Sequence, residues 1–479
     1  MSTIRRITKN LSVLFLSQIL TYTLGFFTLM YTARYLGVDG FGTLSFALAF
    51  TGIFSVLMDL GLNTLTIREV ARNKSLAKEY IANITLIKIT LGLITISLIL
   101  VIVTLLGYNQ ETIQVVIYIA IYNIFTAFSQ MFYSVFQAHE KMEYQSLGNI
   151  FNSILLLVGV FIAITYGFNI YQFSSIYTFV GMLVLVYALL VFSRRFSLPT
   201  IKLDLKLWKS LIKESWPFAV TGISINLYLW IDTIILSVIK GSEAVGLYNA
   251  SYRLILVLLF IPIIFNNTLF PLMSQYYISS KKSLKYTFDK LFKIMILIGF
   301  PIGVGTLLIA DKVIMFIYGS QFAGSVIALQ ILIWSTFLIF ARSPFERLLE
   351  SSNKQLSVTK IFIFGAIFNS ILNIIFIPQF SYVGAAVITV LTDILVLFLL
   401  IFVVKKSTGI IISKNTKISL LKIILASFIM GLIINQISFL NLFSIIVIGT
   451  IIYLFLLLLL KIFDSNELLI IKSIFRRRN

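Results

Sequence analysis

The sequence contains no cysteine and a single histidine, His139. The absence of cysteine excludes disulfide bonds, thiol catalysis and metal sites with cysteine ligands. One histidine argues against a histidine metal cluster or a serine–histidine hydrolase. Charge is also scarce, because only 12% of the residues are charged, about half of the share in a typical soluble domain. These deficits argue against most soluble enzymes.

Hydrophobic residues make up 59% of the 479 residues and are gathered in long apolar runs. A helix needs about 20 apolar residues to cross the hydrocarbon of a bilayer. The sequence therefore predicts an all-α integral membrane protein with about fourteen transmembrane helices. The predicted spans are residues 11–33, 43–62, 81–106, 113–137, 146–166, 171–193, 216–239, 247–273, 288–310, 324–341, 356–377, 383–404, 419–437 and 441–461.

Lysine and arginine recur at every second connection between these spans. The basic connections include residues 68–78, 194–213, 281–290, 342–354 and 405–417, and the tail is basic too, whereas the other connections hold only Arg34, Lys240 and Lys312. Basic flanks stay in the cytoplasm, so an even number of spans is predicted, with both termini cytoplasmic and the chain in the plasma membrane. The net charge of +20 is then explained by topology and by anionic membrane lipids as partners, without nucleic acid.

The two halves of the chain look related. Residues 37–42 (GVDGFG) and 241–246 (GSEAVG) share glycine, an acidic residue and glycine in the same spacing, and residues 150–155 (IFNSIL) recur unchanged at 367–372. Six spans separate the equivalent segments, which predicts a parallel repeat about an axis along the membrane normal, with the substrate path at the interface of the repeats. The predicted domains are an N-terminal six-helix lobe (1–193), a basic cytoplasmic linker (194–215), a C-terminal six-helix lobe (216–404), and two extra helices with a basic tail (405–479).

Several segments carry a family resemblance in order and spacing along nearly the whole chain. They are ARYLG at 33–37 followed by GFG at 40–42, DLGL at 59–62, IREVAR at 67–72, DTIIL at 232–236, VGLYNASYR at 245–253, and YVGAA at 382–386. They resemble the polysaccharide-biosynthesis transporters, which are oligosaccharide-lipid flippases of the multidrug/oligosaccharidyl-lipid/polysaccharide exporter superfamily. The resemblance implies a V-shaped pair of six-helix lobes around a central cavity, and transfer of polyprenyl-linked oligosaccharides from the inner to the outer leaflet.

Charged residues inside the spans are the first candidates for binding a sugar-phosphate headgroup, because unhydrated charge is costly in hydrocarbon. Asp232 and Arg253 lie at similar depth on either side of the connection at 240–246 and are expected to meet. This pair either opens to receive the phosphate or a coupling cation, or locks two helices together. Arg34 is either a phosphate ligand or an interfacial anchor.

Three further charged positions are candidates. Lys88 either contacts substrate at the inner entrance or extends to the interface, and Asp59 ends the second span at a similar height. Asp393 lies in the middle of the twelfth span without a partner nearby in sequence. Asp393 and Asp59 are therefore the candidates for coupling to Na⁺ or H⁺, and a hydrated, cavity-facing Asp393 explains the sequence equally well.

Amide side chains form a stripe on the fourth span, where Asn123, Gln130 and Gln137 are seven residues apart. Asn123 and Gln130 are candidates for hydrogen bonds to sugar hydroxyls, although contacts between helices have the same pattern. No cofactor is indicated.

Two other functions remain open. A cation-coupled multidrug or toxin exporter of the same superfamily requires a smaller cavity lined by aromatic rings and carboxylates. A membrane glycosyltransferase or polymerase usually has a long acidic outer loop, whereas every predicted outer loop here is short. The sequence also has no GxxxxGK[ST] phosphate-binding loop, which argues against an ATP-driven pump.

Overall fold

The computed structural model describes residues 3–196 and 204–463, with side chains from Leu16 onward except those of Leu205 and Asn267. Outside this range lie residues 197–203 of the predicted linker and the basic tail at 464–479. The described residues form helices joined by short turns, and they contain no strand. The helices are α1 (Thr3–Asp59), α2 (Leu62–Arg72), α3 (Ala77–Leu105), α4 (Gln110–Ala138), α5 (Met142–Tyr166), α6 (Ile170–Phe196), α7 (Leu205–Leu258), α8 (Phe260–Ser279), α9 (Lys281–Tyr318), α10 (Ser325–Ser351), α11 (Gln355–Thr408), α12 (Lys414–Gln436) and α13 (Leu442–Leu459).

Eleven helical stretches in the described part of the chain are long and apolar enough to cross a membrane. Three of them hold two predicted spans each, at Leu16–Asp59, Lys206–Asn266 and Gln355–Thr408. Their lengths of 44, 61 and 54 residues suffice for two crossings, because one crossing takes about 20 residues. The fourteen-span, all-helical fold class is thereby confirmed, although several predicted loops are breaks within continuous helices.

Each of the three long helices contains one residue with non-helical backbone angles. Gly37 in α1 has φ 68° and ψ −177°, and Gly241 in α7 has φ 81° and ψ −173°. Glycine takes such angles readily because it has no Cβ. The break in α11 is at Ser381, with φ 51° and ψ −140°, where a side chain makes the conformation costlier. The helices therefore change direction at single residues rather than through loops.

The chain divides into two compact units, Met1–Asn249 and Ala250–Asn479. In the first unit α4 packs against α1, α2, α3 and α6, and its buried core includes Leu65, Ile84, Phe132, Phe136 and Phe192. In the second unit α10 packs against α8, α9 and α11. The predicted division into lobes at 193 and 216 follows the sequence repeat and stays a prediction.

Side chains that bind backbone carbonyls link the end of the second unit: α13 and the residues after it bind α9, and α12 binds the end of α13. Lys293 Nζ donates to the carbonyl of Ile462 at 2.7 Å, and Tyr453 donates its hydroxyl to the carbonyl of Leu297 at 2.8 Å. Lys422 of α12 donates to the carbonyl of Leu460 at 2.8 Å. Lysine at a helix C-terminus satisfies carbonyls that have no helical partner and complements the helix dipole.

Candidate functional site

A cavity of about 330 Å³ lies in the first unit among α1, α2, α4 and α7. Three of the predicted site residues, Asp59, Asn123 and Gln130, line it together. The remaining lining residues are mostly small or polar, namely Ser55, Val56, Gly61, Asn63, Thr64, Thr126, Ala127, Phe218 and Gly222. Asn63, Thr64 and Thr126 were not predicted, because single polar residues in a span have no distinguishing pattern.

The turn between α1 and α2 positions one side of this cavity. Gly61 has φ 78°, and a Cβ at this residue would lie 2.6 Å from both the Phe218 Cβ and the Ser215 carbonyl oxygen. Only glycine fits this approach without displacing α7. The Asp59 carboxylate, which ends α1, accepts a hydrogen bond from the backbone N–H of Asn63 at 3.3 Å. The first turn of α2 therefore holds Asp59 at the cavity wall.

Lys88 and Asp59 form an ion pair with an Nζ–Oδ1 distance of 2.7 Å. The Lys88 side chain is only 1% exposed, whereas that of Asp59 is 27% exposed. The expectation that Lys88 extends to the interface is therefore wrong, because its ammonium group is directed inward to a carboxylate. The pair removes the cost of a lone charge at this depth and leaves part of Asp59 accessible from the cavity.

The predicted amide stripe on α4 divides into two kinds of residue. Asn123 donates to the Thr51 hydroxyl at 2.8 Å, and its side chain lines the cavity, as does that of Gln130. Gln137 instead donates to the Gln145 amide oxygen at 2.8 Å, which ties the end of α4 to α5. The cavity wall thus offers amides, hydroxyls and a neutralised carboxylate, which are the groups that hydrogen-bond sugar hydroxyls.

The other predicted binding residues lie elsewhere. Asp232 is buried in the first unit and accepts a hydrogen bond from the Tyr248 hydroxyl at 2.9 Å. Arg253 is half-buried and belongs to the second unit, so its pairing with Asp232 stays a prediction. The Arg34 side chain is exposed.

Asp393 of α11 lies within a buried polar cluster in the second unit. Its carboxylate accepts a hydrogen bond from Ser335 and lies 3.9 Å from Nη2 of Arg342. Arg342 also lies 3.4 Å from Glu346 and stacks on the Phe362 ring, with 4.8 Å to the ring centroid. Asp393 therefore has partners from a neighbouring helix, which its sequence neighbourhood did not reveal.

The position of Arg342 corrects the prediction for the tenth span. That span was expected to end at residue 341, but the helix α10 continues to Ser351 and Arg342 is only 6% exposed. The charges at this end pair along the helix, Arg342 with Glu346 and Arg347 with Glu350. A hydropathy average treats these charges as a loop, whereas their pairing stabilises a helix.

Comparison with known proteins supplies the family. The model for the family described as "Polysaccharide biosynthesis protein" matches residues 7–277, and the MatE model matches residues 217–375. The chain is 26% identical over 385 residues to the probable low-salt glycan biosynthesis flippase Agl15 of Haloferax volcanii, with 79% of each chain covered.

Two solved structures share the fold. The inward closed conformation of the lipid II flippase MurJ superposes with a TM-score of 0.77 at 17% identity, covering 92% of this chain and 97% of that one. An inward-facing multidrug resistance MATE family transporter of the MOP superfamily superposes with a TM-score of 0.68 at 15% identity, covering 81% of this chain and 94% of that one. Since the first family model spans more than half of the sequence, the chain belongs to the polysaccharide biosynthesis protein family.

Proposed function

We propose that the protein is a flippase that moves polyprenyl-linked oligosaccharides or polysaccharide repeat units from the inner to the outer leaflet by alternating access. The observation that carries the proposal is the polar cavity of the first unit, which lies among membrane-spanning helices and is lined by Asp59, Asn123 and Gln130. Family membership and the similarity to a glycan biosynthesis flippase support this substrate class.

The chemistry of the cavity suits the sugar part of such a substrate. A glycan that leaves water loses hydrogen bonds, and each polar group buried without a replacement costs several kcal/mol, by order of magnitude. Amides and hydroxyls on the wall replace these bonds, while the lipid tail stays in the bilayer. Because Lys88 pairs with Asp59, the wall carries no unpaired negative charge that would bind a cation tightly. The wall can still accept and donate hydrogen bonds to sugar hydroxyls.

The diphosphate requires cationic partners, for which Arg253 and Arg34 are the proposed residues. Arginine binds phosphate through paired N–H donors, and its charge persists at any physiological pH. Asp232, held by Tyr248, is the proposed counter-charge that prevents tight trapping of phosphate at Arg253. Asp393 and Asp59 are the proposed groups for coupling to Na⁺ or H⁺.

The topology is part of the same proposal. Both termini are assigned to the cytoplasm and the protein to the plasma membrane, because lysine and arginine are concentrated at alternate helix ends. The polar cavity is expected to receive substrate from the cytoplasmic side, since the turn at Gly61 that borders it leads into the basic connection 68–78.

The second candidate is a cation-coupled multidrug or toxin exporter. It is favoured by the match of the MatE model to residues 217–375. An exporter of cationic drugs is expected to use carboxylates and aromatic rings, whereas the cavity of the first unit is dominated by amides, hydroxyls and small residues. This composition favours a glycan.

The test is flipping of a fluorescent polyprenyl-diphosphate oligosaccharide in proteoliposomes. Gln130→Ala and Gln137→Ala are a matched pair, because both glutamines are on α4 but only Gln130 lines the cavity. We expect Gln130→Ala to lower the flipping rate about tenfold, the value of one lost hydrogen bond to substrate, and Gln137→Ala to retain it.

Arg253→Ala and Asp232→Asn are expected to lose flipping. A folded wild type that exports ethidium and does not flip the lipid would move the protein to the exporter class.

A further inference from the structure

Phe218 is the one aromatic residue among the described residues that line the cavity of the first unit. It lies on α7 and is half-buried. Its ring contacts no other aromatic ring in the described part of the chain, whereas Phe50 and Phe54 of α1 pack edge to face with 5.0 Å between their centroids. Stacking on another ring is one of the contacts that an aromatic side chain favours. The Phe218 ring is therefore available to stack on a ligand in the cavity.

The surroundings of Phe218 hold it at the cavity wall beside an uncovered stretch of helix. The turn between α1 and α2 approaches so closely that a Cβ on Gly61 would lie 2.6 Å from the Phe218 Cβ. Gly222 follows Phe218 by one helical turn on the same face of α7, and it also lines the cavity. Because Gly222 has no side chain, a ligand can approach the backbone of α7 closely beside the ring.

Hydrogen-bonding side chains on α4 and α2 line the same cavity. Asn123, Thr126 and Gln130 lie on one face of α4, since they are spaced by three and four residues. The Gln130 amide forms no hydrogen bond with any described residue, and the side-chain oxygen of Asn63 on α2 has no such partner either. Amides without protein partners can form hydrogen bonds with the hydroxyl groups of a ligand. The cavity thus combines one free aromatic ring with several polar groups.

We propose that Phe218 is a stacking platform for one pyranose ring of the glycan, and thereby a specificity-determining residue of this cavity. This inference rests on the proposed flippase function. A pyranose has a rim of hydroxyl groups and a face of C–H groups. The C–H face is apolar and weakly positive, so it packs against the negative face of an aromatic ring, while the rim hydroxyls bind the amides. The cavity volume of about 330 Å³ suits a short part of a glycan rather than a whole chain.

Stacking selects a ligand by its shape. A pyranose with equatorial hydroxyl groups presents an uninterrupted C–H face, whereas an axial hydroxyl on that face would be pressed against the ring without a hydrogen-bond partner. An open-chain polyol has a similar set of hydroxyl groups but no rigid C–H face. The cavity is therefore expected to prefer a ring sugar to an open-chain polyol, although both can form hydrogen bonds with the amides.

Protection of a single cysteine measures sugar binding without relying on flipping. The chain has no cysteine, and Thr64 is an exposed residue that lines the cavity, so Thr64→Cys introduces one reporter thiol. The rate of its reaction with a maleimide is measured in detergent at increasing concentrations of methyl β-glucopyranoside, whose ring substituents are all equatorial. Sorbitol is the open-chain comparison. We expect the glucoside to slow the reaction and sorbitol to have much less effect.

Three variants in the Thr64→Cys background test the ring itself. Phe218→Leu removes the ring but keeps an apolar side chain, and Phe218→Tyr keeps the ring. Trp216→Leu is the control, because Trp216 is an exposed aromatic residue of α7 that does not line the cavity. We expect the glucoside concentration for half-protection to rise about fivefold in Phe218→Leu, the scale of one aromatic contact, and to change little in the other two. Equal half-protection in Phe218→Leu and Trp216→Leu, or no stronger protection by the glucoside than by sorbitol, would overturn the proposal.

Flipping of the labelled lipid by the same Phe218 variants, without the reporter cysteine, separates this inference from the proposed function. Sugar protection that depends on the Phe218 ring, combined with no flipping by the wild type, would support the platform and contradict the flippase. Flipping by the wild type that Phe218→Leu leaves unchanged would retain the flippase and reject the platform.

Discussion

Lys88 and Asp59 show how a buried ion pair can divide its roles. The ammonium group of Lys88 is enclosed, whereas the Asp59 carboxylate reaches the cavity wall and also receives the Asn63 backbone N–H. We therefore expect Lys88 to be a positioning residue that orients the Asp59 carboxylate. Asp59 is the member of the pair that substrate or a cation can touch.

Removal of Lys88 is predicted to destabilise the protein. Lys88→Met leaves Asp59 without its cation, and we expect a loss of about 2 kcal/mol, between the values for exposed and fully buried pairs. Asp59→Asn in the Lys88→Met background is expected to restore most of the stability but not flipping. Thermal unfolding in detergent is the measurement, with the exposed Lys360→Met as control. Equal unfolding temperatures for Lys88→Met and Lys360→Met would contradict the positioning role.

At the scale of elements, the turn from α1 to α2 packs directly against α7, so that three helices meet at the cavity. Gly61 combines a left-handed backbone with direct contact to Ser215 and Phe218 of α7. Two separate penalties therefore oppose a side chain at this position, namely the backbone conformation and the approach of α7. Gly107, between α3 and α4, has a similar φ of 76° but nothing within 4 Å of an added Cβ.

This difference gives a controlled prediction. Gly107→Ala is expected to lower the stability by about 1–2 kcal/mol, because only the left-handed backbone disfavours a side chain there. Gly61→Ala has the same backbone penalty and also displaces α7, so we expect a further loss of stability of about 1–3 kcal/mol. Thermal unfolding in detergent compares the two variants directly. If they unfold at the same temperature, the contact between the turn and α7 contributes nothing to stability.

The elements also show which features the sequence could reveal. Hydropathy located the spans because each apolar run is long enough to cross the bilayer. The connections predicted at the two glycine segments are instead breaks at Gly37 and Gly241 within long helices. Hydropathy failed at the end of α10. Arg342, Glu346 and Arg347 have the composition of a loop there, but they form ion pairs along the helix. The partners of Asp393 and Lys88 were not predictable, because contacts between helices depend on rotation about each helix axis, which hydropathy does not report.

For the whole molecule, the alternating basic connections predict one orientation of all the helices in the membrane. α12 offers a compact test, because two exposed serines flank it: Ser407 in the last turn of α11, and Ser438 in the turn that follows α12. Lys405 and Lys406 adjoin Ser407, whereas the turn around Ser438 has no basic residue. One crossing by α12 therefore places the two serines on opposite sides of the membrane.

The orientation can be measured with single cysteines at these two positions, because the chain has no native cysteine that would react. We expect Ser438→Cys to react with a membrane-impermeant maleimide in intact cells, and Ser407→Cys to react only after permeabilisation. Neither substitution changes charge or adds bulk at an exposed site, so both proteins should fold. Labelling of Ser407→Cys alone in intact cells would invert the predicted topology, and would place both termini outside the cytoplasm.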